Sequence, residues 1–424
     1  MYKIVILDEK YEKILSESNK KILEISPEKS HFADALEINN QLKRKYGIDT
    51  NVLSCLNHKR SREKAEGVYV VELKSKLRNE NLDFFDMKEV LILQEESDIN
   101  SYLDNKTKRP KWQRMGYSSW LKEWLSKNVD IEICDFYQIK NNAISAVYKI
   151  ISDNNNYYVK VLPTIFSSEL NIIKYLSSKY PKNIPEVYLI NSQENILITK
   201  EINGNMLYEF DELNVWKKCL TTYAKIQLSE SNQKDKLLEL GFKDRTMNSL
   251  REQLEIISKN ISSIGIDKEY RLTEDEIQFF KDNIDKFKEL TYKLELSAIP
   301  STIEHGDFYV ANIAIEDEKC VIFDWSDGCI THPFLSMIPF FSECEFSPEN
   351  KEKLLAHYLR QFSDFGTMDE LLIEYSFVKV VGEMHLAWTY YIITTSLTKD
   401  LQWEVERSFL SCIRGIIQYF KKEN

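Results

Sequence analysis

The stretch EHGDFYVANIAIEDEKCVIFDWSDG (Glu304–Gly328) decides how the chain is interpreted. It places Asp307, Asn312 and Asp324 at set intervals beside apolar segments that are typical of short buried strands. Carboxylate and amide oxygens are ligands that magnesium accepts in proteins. One interpretation is therefore a site for a metal-bound nucleotide. The alternative is an ordinary polar hairpin at the surface, and the remaining sequence is needed to choose between them.

Length and charge narrow the class of protein. The chain has 424 residues, which exceeds the usual size of one hydrophobic core and predicts two or three domains. Its hydrophobic fraction of 43% is typical of a globular protein. The formal net charge of −11 disfavours nucleic acid and anionic membranes as partners. It is compatible with a cationic small molecule.

The cysteines and the apolar runs predict a cytoplasmic protein. Seven cysteines are scattered without a Cys-x-x-Cys pair, which disfavours a zinc site or a thioredoxin-like motif. Such single cysteines are typical of reduced core residues in a cytosolic protein. The N-terminal segment has too short an apolar run for a signal peptide, and no run of 18 uncharged apolar residues predicts a transmembrane helix.

Residues 1–105 are predicted to form a small α/β domain. Apolar spacing predicts a helix within His31–Ile48 that stops near Gly47. The basic run His58–Lys64 is interpreted as a solvated loop, and Glu95–Lys111 as a linker. Residues 106–128 are assigned to the linker and to an amphipathic helix over 117–128. The predicted strands are Tyr2–Leu7, Thr50–His58, Glu66–Lys76 and Met87–Gln94.

Residues 129–200 are predicted to form a β-rich lobe, and residues 201–424 a helical lobe. The β-rich lobe has a hairpin over Val147–Pro163 and a helix over Ser167–Tyr180 that Ser167 or Ser168 could cap. The helical lobe carries the polar hairpin. Its predicted helices are Glu212–Leu228, Thr246–Asn260, Thr273–Leu294, Lys351–Phe362, Glu370–Leu397 and Trp403–Phe420. These elements predict an α+β fold.

The polar hairpin has the residue spacing of a phosphoryl-transfer site. Such a site needs a carboxylate for the attacking hydroxyl, oxygen ligands for magnesium and a cation on the phosphates. HGDFYVAN (His305–Asn312) has the His, Asp and Asn spacing of the protein-kinase catalytic loop, with Gly306 in place of arginine. Asp324 ends a predicted strand, Lys160 lies in an apolar strand, and Glu169 follows on the next helix.

These four elements, in this order, resemble the aminoglycoside phosphotransferase and choline-kinase-like group of small-molecule kinases. The group has the signature HGDxxxxN, followed by a strand that ends in IDW or FDW. The resemblance covers roughly Ile131 to the C-terminus and is strongest over Ile303–Pro339. It implies a two-lobed protein-kinase-like fold and transfer of the γ-phosphate of ATP, with magnesium, to a hydroxyl of a small molecule. GTP remains an alternative nucleotide.

The resemblance implies a role for each matching position in the hairpin. Asp307 would orient the substrate hydroxyl as a base, and His305 would brace the catalytic loop. Asn312 and Asp324 would bind magnesium. The alternative for Asp307, Asn312 and Asp324 is that they are ordinary turn residues.

The same resemblance places nucleotide contacts before the hairpin. Lys160 would contact the phosphates, held by Glu169, although a solvated lysine and a helix-start acid are the alternatives. The strand ITKEI, which includes Glu201 and Ile202, would face the adenine.

The expected phosphate loop departs from the family pattern. IKNNAISAVYKI (Ile139–Ile150) stands in the place of a glycine-rich loop but contains no glycine. We expect backbone N–H groups from Asn142 to Ser145 to cover the phosphates, with a less close approach.

The N-terminal stretch Ala33–Leu53 resembles the helix of Nudix hydrolases. Aligned on Gly47, the metal-binding acids of that box fall on Gln41, Arg44 and Lys45, an amide and two cations that cannot hold magnesium. The resemblance implies a Nudix-like fold without hydrolase activity, used for packing, dimerisation or substrate capping. An unrelated α/β domain is the alternative, and a homodimer is compatible with both.

The acceptor is the least determined part of the prediction. Glu343 and Glu345, in SECEFSPEN, are expected to meet an amine-bearing acceptor such as an aminoglycoside, as in antibiotic resistance, unless they lie in a plain surface loop. Two other functions stay open. A catalytically silent kinase fold is disfavoured by the intact acids. A protein kinase is disfavoured by Gly306, by Trp325 and by the missing activation segment.

Overall fold

The computed structural model describes residues 1–27, 31–60, 65–74, 76–265 and 270–423. The chain folds into two compact units that are interleaved along the sequence. Unit 1 comprises Met1–Pro163, Tyr188–Lys200 and Ser396–Glu404, and unit 2 comprises Thr164–Val187, Glu201–Thr395 and Val405–Asn424. The predicted finer boundaries at residues 105, 128 and 200 stay predictions.

A four-stranded sheet with the order β3-β1-β5-β4 forms the first part of unit 1, and β2 pairs with β6 beside it. The helix α1 (Ala35–Tyr46) packs its apolar face on this sheet through Ile38 and Leu42. Asp34 caps its first turn, and Gly47 ends it at φ 68°, which a glycine adopts at low cost. The strands are β1 Tyr2–Ile6, β2 Lys13–Glu17, β3 Leu23–Ile25, β4 Thr50–Arg60, β5 Ala65–Leu73 and β6 Leu82–Asp86.

Two predictions for residues 87–111 were wrong. The predicted strand Met87–Gln94 is instead α2 (Met87–Val90) and the start of α3 (Leu93–Asn105), because the preceding strand β6 already pairs with β2. The predicted linker contains most of α3, which buries Ile99 and Tyr102 from one face against the sheet.

The basic run was also misassigned in part. His58, Lys59 and Arg60 belong to β4, so they are not in a loop. Residues 61–64 lie outside the described part of the chain.

The second sheet of five strands has the order β10-β11-β9-β8-β7. Its strands are β7 Asp135–Asn142, β8 Ser145–Ile151, β9 Tyr157–Val161, β10 Val187–Asn191 and β11 Ile196–Lys200. The helix α4 (Tyr117–Asn128) buries Leu121 and Leu125 against the inner face of this sheet, where Tyr148 and Val159 lie. Trp120, on the same helix, is 37% exposed.

Buried amide side chains connect the two sheets of unit 1. The Gln138 side chain on β7 accepts the backbone N–H of Val52 at 2.9 Å and donates to the Val52 carbonyl at 3.0 Å. Asn141 adds a bond from its Nδ2 to the same carbonyl at 2.7 Å. A primary amide can satisfy a backbone donor and acceptor at once, so β7 is fixed to β4 without β-ladder pairing.

Unit 2 is mainly helical, with two small three-stranded sheets of order β12-β15-β16 and β13-β17-β14. The helices after residue 163 are α5 Glu169–Lys179, α6 Leu213–Glu230, α7 Lys234–Glu239, α8 Met247–Asn260, α9 Glu274–Asp282, α10 Ile284–Glu295, α11 Met337–Ser342, α12 Pro348–Leu359, α13 Met368–Ser396 and α14 Trp403–Glu423. The strands are β12 Asn205–Met206, β13 Lys243–Asp244, β14 Thr302–Glu304, β15 Ile313–Glu316, β16 Lys319–Ile322 and β17 Cys329–Thr331.

Most predicted helices and the hairpin are present, with two differences. The single helix predicted over Thr273–Leu294 is divided into α9 and α10 at Asn283. Ser168 precedes α5, but its side chain makes no capping hydrogen bond. None of the described helices is both long and apolar enough to cross a membrane.

The amide connection in unit 1 can be tested by replacing Gln138 with alanine. The backbone N–H of Val52 would lose its buried partner and its carbonyl would keep only Asn141, so we expect the free energy of unfolding to fall by about 1–3 kcal/mol. Chemical denaturation measures this change. Gln193→Ala, at an exposed position, is the control and should change stability by less than about 0.5 kcal/mol. Equal stability of the two variants would contradict the interpretation.

Candidate active site

Three strands of unit 2 bring the polar residues of the opening motif together. β14 ends at Glu304, directly before the loop that holds Asp307 and Asn312. β15 and β16 then form an antiparallel hairpin, and Asp324 follows the end of β16. The backbone N–H of Phe323 donates to the carbonyl of Asn312 at 3.1 Å, which fixes one end of the hairpin against the other.

Asn312 holds the carboxylate of Asp307. Its Nδ2 donates to Oδ2 of Asp307 at 3.0 Å and to the backbone carbonyl of Asp307 at 2.8 Å. Because only the nitrogen of an amide can donate, these bonds assign its orientation. The amide oxygen of Asn312 is then the atom that can serve as a metal ligand.

His305 links the catalytic loop to the strand that precedes Asp324. Its buried ring places Nε2 at 2.9 Å from the carbonyl of Phe323. A carbonyl only accepts, so Nε2 carries the proton and Nδ1 accepts the backbone N–H of Asp307 at 3.3 Å. The ring also packs on the buried indole of Trp325, with centroids 4.6 Å apart.

Asp324 has a left-handed backbone conformation, with φ at 64°. This conformation costs a residue with a side chain roughly 1–3 kcal/mol and persists where neighbouring packing enforces it. The next residue, Trp325, is fully buried and donates its indole N–H to the carbonyl of Ile322 at 3.2 Å. Ser326 donates to Oδ1 of Asp324 at 3.0 Å. The carboxylate is thus held in one direction.

Asn312 and Asp324 fit magnesium by their chemistry. One supplies an amide oxygen and the other a carboxylate, both hard oxygen donors. Magnesium needs only one or two carboxylates in nucleotide sites, because phosphate and water complete its shell.

Gly306 allows the catalytic loop to touch the turn after Asp324. Its φ is 80°, and a Cβ there would lie 2.3 Å from the carbonyl oxygen of Asp327. Lys243 fixes this turn, since its Nζ donates to Oδ1 of Asp327 at 2.9 Å and to the Ser326 carbonyl at 3.2 Å. Where protein kinases have arginine, this packing therefore admits only glycine.

Glu304, a buried acid that the sequence analysis did not identify, stabilises the loop through a hydrogen bond to its backbone. Oε2 of Glu304 accepts the backbone N–H of Gly306 at 2.8 Å, and Oε1 accepts the hydroxyl of Ser336 at 2.7 Å. Burial raises the pKa of Glu304, which its hydrogen bonds oppose. Burial also lowers the pKa of the neighbouring His385 well below its ordinary value. The available signal was a glutamate at the end of a short strand, directly before His305.

The residues predicted to bind nucleotide lie in both units. Lys160 is in the middle of β9, paired with Leu197 of β11 in unit 1. Glu169 is the buried first residue of α5 in unit 2, so the Lys160–Glu169 contact stays a prediction. The predicted strand Ile198–Ile202 ends earlier than expected, because β11 stops at Lys200 and leaves Glu201 and Ile202 beyond it.

The turn between β7 and β8 makes its hydrogen bonds within unit 1. Oδ1 of Asn142 accepts the backbone N–H groups of Ile144 at 3.1 Å and Ser145 at 2.8 Å. Asn142 and Ser145 are both buried. Their predicted contact with phosphates stays a prediction.

The two acids predicted to meet the acceptor follow α11 and are exposed. Partial burial of the carboxyl group raises the pKa of Glu343. Burial, reinforced by the charges of Asp307 and Glu343, raises the pKa of Tyr309 to about 12, and Tyr309 is hydrogen-bonded to Tyr390. Glu343 is therefore within electrostatic range of the loop that holds Asp307. No described contact connects Glu345 to this loop.

The glycine requirement can be tested by Gly306→Ala. The added methyl would collide with Asp327 and displace Asp307, and a displacement near 1 Å can cost about 100-fold in kcat. Gly366→Ala is the control, because its Cβ would lie no closer than 3.3 Å to any neighbour, and that neighbour is the carboxylate end of the Glu370 side chain. Steady-state rates and thermal unfolding of both variants measure the effect. A Gly306→Ala protein with full activity would refute the packing argument.

A choline kinase and two antibiotic phosphotransferases are among the solved structures that are similar to this chain. Choline kinase LicA from Streptococcus pneumoniae superposes with a TM-score of 0.50 at 15% identity, covering 71% of this chain and 99% of that chain. A macrolide 2'-phosphotransferase of type I gives 0.49 at 12% identity, covering 70% and 97%. A spectinomycin phosphotransferase, solved with ADP and spectinomycin, gives 0.48 at 15% identity, covering 72% and 98%.

Comparisons of the sequence alone do not identify a family for this chain. No family model matches the chain, and no curated protein matches it significantly. The comparisons also give no support to a Nudix-like N-terminal region. The match to the choline kinase confirms the predicted α+β, protein-kinase-like architecture. About 70% of this chain therefore has the fold of the aminoglycoside phosphotransferase and choline kinase family.

Proposed function

We propose that this protein is a kinase that transfers the γ-phosphate of magnesium-bound ATP to a hydroxyl group of a small molecule. The observation that carries the proposal is the hydrogen bond of 3.0 Å between Asn312 and the carboxylate of Asp307. It aims a carboxylate while keeping the amide oxygen for a metal. A polar surface hairpin would not need this arrangement, nor the buried imidazole of His305 that ties it to Phe323.

Asp307 is the proposed base. One of its carboxylate oxygens accepts the proton of the acceptor hydroxyl as the hydroxyl oxygen bonds to the γ-phosphorus. The bond from that phosphorus to the bridging oxygen breaks, and ADP leaves with the electron pair. Asn312 holds Oδ2 of Asp307, which restricts the direction from which the hydroxyl can approach.

Asn312 and Asp324 would hold the magnesium ion, which neutralises charge on the phosphates. The backbone strain at Asp324 supports this role, since such strain concentrates at functional sites. Lys160, supported by Glu169, is proposed to neutralise the α- and β-phosphates. The backbone at Glu201 and Ile202 is proposed to meet the adenine or, with GTP, the guanine.

The acceptor is proposed to carry a positive charge as well as a hydroxyl. The chain has a net charge of −11, and Glu343 acts electrostatically on Tyr309, two residues beyond Asp307. Glu345 is the second acid proposed to contribute. Choline kinase shares the fold, which supports an amine-bearing alcohol. An aminoglycoside, and with it antibiotic resistance, is one member of this class.

A catalytically silent binding protein is the second candidate. It is favoured by one observation, which is that the turn at Asn142 and Ser145 is buried and hydrogen-bonded within the chain. Such a protein would bind nucleotide without turnover.

The proposal predicts magnesium-dependent ATP consumption with an amine-bearing alcohol and its loss in Asp307→Asn. Removal of the base should lower kcat by about 100-fold or more while ATP binding persists. A coupled ADP assay across aminoglycosides, amino sugars and choline-like alcohols measures turnover, and calorimetry measures binding.

Asp235→Asn is the control for this experiment, because it makes the same change at an exposed acid on α7, outside the motif. It should keep the turnover of the wild type. Nucleotide binding without turnover on any acceptor would favour the silent protein. Absence of nucleotide binding would reject both candidates.

A charged acceptor predicts a selective effect of Glu343→Gln. Loss of one partly exposed charge should raise KM for a cationic acceptor by about two- to fivefold and leave kcat unchanged. Glu349→Gln is the control. It removes the same charge from an exposed acid in the first turn of α12, and this acid already pairs with Lys353. If KM for the acceptor is the same in both variants, Glu343 does not recognise the cation.

A further inference from the structure

The turn between β7 and β8 is closed by a carboxyl group from a distant part of unit 1. The backbone N–H of Ala143 donates to Oε2 of Glu404 at 2.8 Å. The remaining N–H groups of the turn, those of Ile144 and Ser145, donate to Oδ1 of Asn142. Ala143 is 1% exposed. Each of these three backbone donors thus has a partner inside the protein.

The N-terminal region fixes the same turn from other directions. The indole N–H of Trp112 donates to the carbonyl of Asn142 at 2.8 Å. The backbone N–H of Asn141 donates to the carbonyl of Ala33 at 3.0 Å, and its side chain donates to Val52. Opening the turn would therefore break several buried hydrogen bonds at once.

Glu404 is held among buried polar groups. Burial raises the pKa of Glu404, and the hydrogen bond from the N–H of Ala143 opposes this shift. The charges of Arg109, Asp400 and Lys140 also act on this carboxyl group. Arg109 pairs with Asp400 and donates to Ser54, which anchors the segment 396–404 to β4.

The β7–β8 turn has the same place in the chain as the phosphate-binding loop of protein kinases. In protein kinases a glycine-rich loop covers the nucleotide phosphates, and a strand lysine follows. Here β7 and β8 precede Lys160 on the neighbouring strand β9, so their turn stands where that loop belongs. A phosphate bound there would need N–H groups that point at it. In this turn they point at Glu404 and Asn142.

We propose that Glu404 takes the place of a nucleotide phosphate at the β7–β8 turn, so that the turn is closed before nucleotide binds and contributes nothing to nucleotide affinity. This inference rests on the proposed kinase function. Phosphate binding would then depend on the other groups of the proposed function, Lys160 among them. The N-terminal region would then have a role in this arrangement, because Ala33 and Trp112 also hold the β7–β8 turn closed.

Hydrogen exchange of the protein without nucleotide tests whether Glu404 holds the β7–β8 turn closed. The amides of residues 142–145 should exchange slowly in the wild type and in Glu404→Gln, which keeps an acceptor oxygen. Glu404→Ala removes the acceptor and should speed exchange at Ala143 by about tenfold or more. Glu132→Ala, at an exposed acid of unit 1, is the control. Equal exchange rates at Ala143 in all variants would show that Glu404 does not hold the turn closed.

Hydrogen exchange and kinetics with Mg-ATP test the functional part. Binding should slow exchange around Lys160 and leave residues 142–145 unchanged. KM for ATP should stay within about twofold of wild type in Glu404→Gln and Glu404→Ala, and rise by about tenfold or more in Lys160→Met. Slower exchange at the turn with Mg-ATP, or a change of KM by about fivefold in Glu404→Ala, would show that the turn does contact nucleotide.

The two proposals fail in different ways. If Mg-ATP changes no amide and calorimetry detects no binding, the kinase function is rejected, and the inference about nucleotide affinity is rejected with it. If Mg-ATP binds and protects the turn, the kinase function survives and the role of Glu404 is rejected.

Discussion

The hydrogen bonds of one buried imidazole determine the geometry of the candidate site. His305 donates to the carbonyl of Phe323 and accepts the N–H of Asp307, so one side chain connects the loop that holds Asp307 to the segment that precedes Asp324. This requires the neutral ring with its proton on Nε2, because a charged ring has no nitrogen that can accept a hydrogen bond. Gly306 and Trp325 then pack where they do because the two chain segments are held this closely.

In unit 1, too, buried polar side chains form hydrogen bonds with backbone groups of another segment of the chain. Gln138 and Asn141 satisfy backbone groups of β4 from the side chains of another sheet, and Glu404 satisfies a backbone group of the β7–β8 turn. Buried polar side chains of this kind stabilise only when each finds its partner, so they specify one arrangement of the segments they connect. A protein-kinase-like sheet is thereby joined to an N-terminal region of separate topology.

The sequence predicts best what depends on neighbours in the chain. The grouping of His305, Asp307 and Asn312 was predictable because these residues interact over two to five positions of the chain. The helix α3 was missed because Ile99 and Tyr102 are among its few apolar positions within a polar stretch. The closure by Glu404 was beyond reach, since 261 residues separate it from Ala143 and nothing in either local sequence indicates the pair.

That separation has a consequence for how the protein is made. Arg109 finds its partner Asp400 only 291 residues later, and Trp403 packs on Phe32 across most of the chain. Contacts of such sequence separation close late and slowly, and domains otherwise fold as they leave the ribosome. Unit 1 can therefore complete these contacts only after the segment Ser396–Glu404 has been translated, long after its first 163 residues.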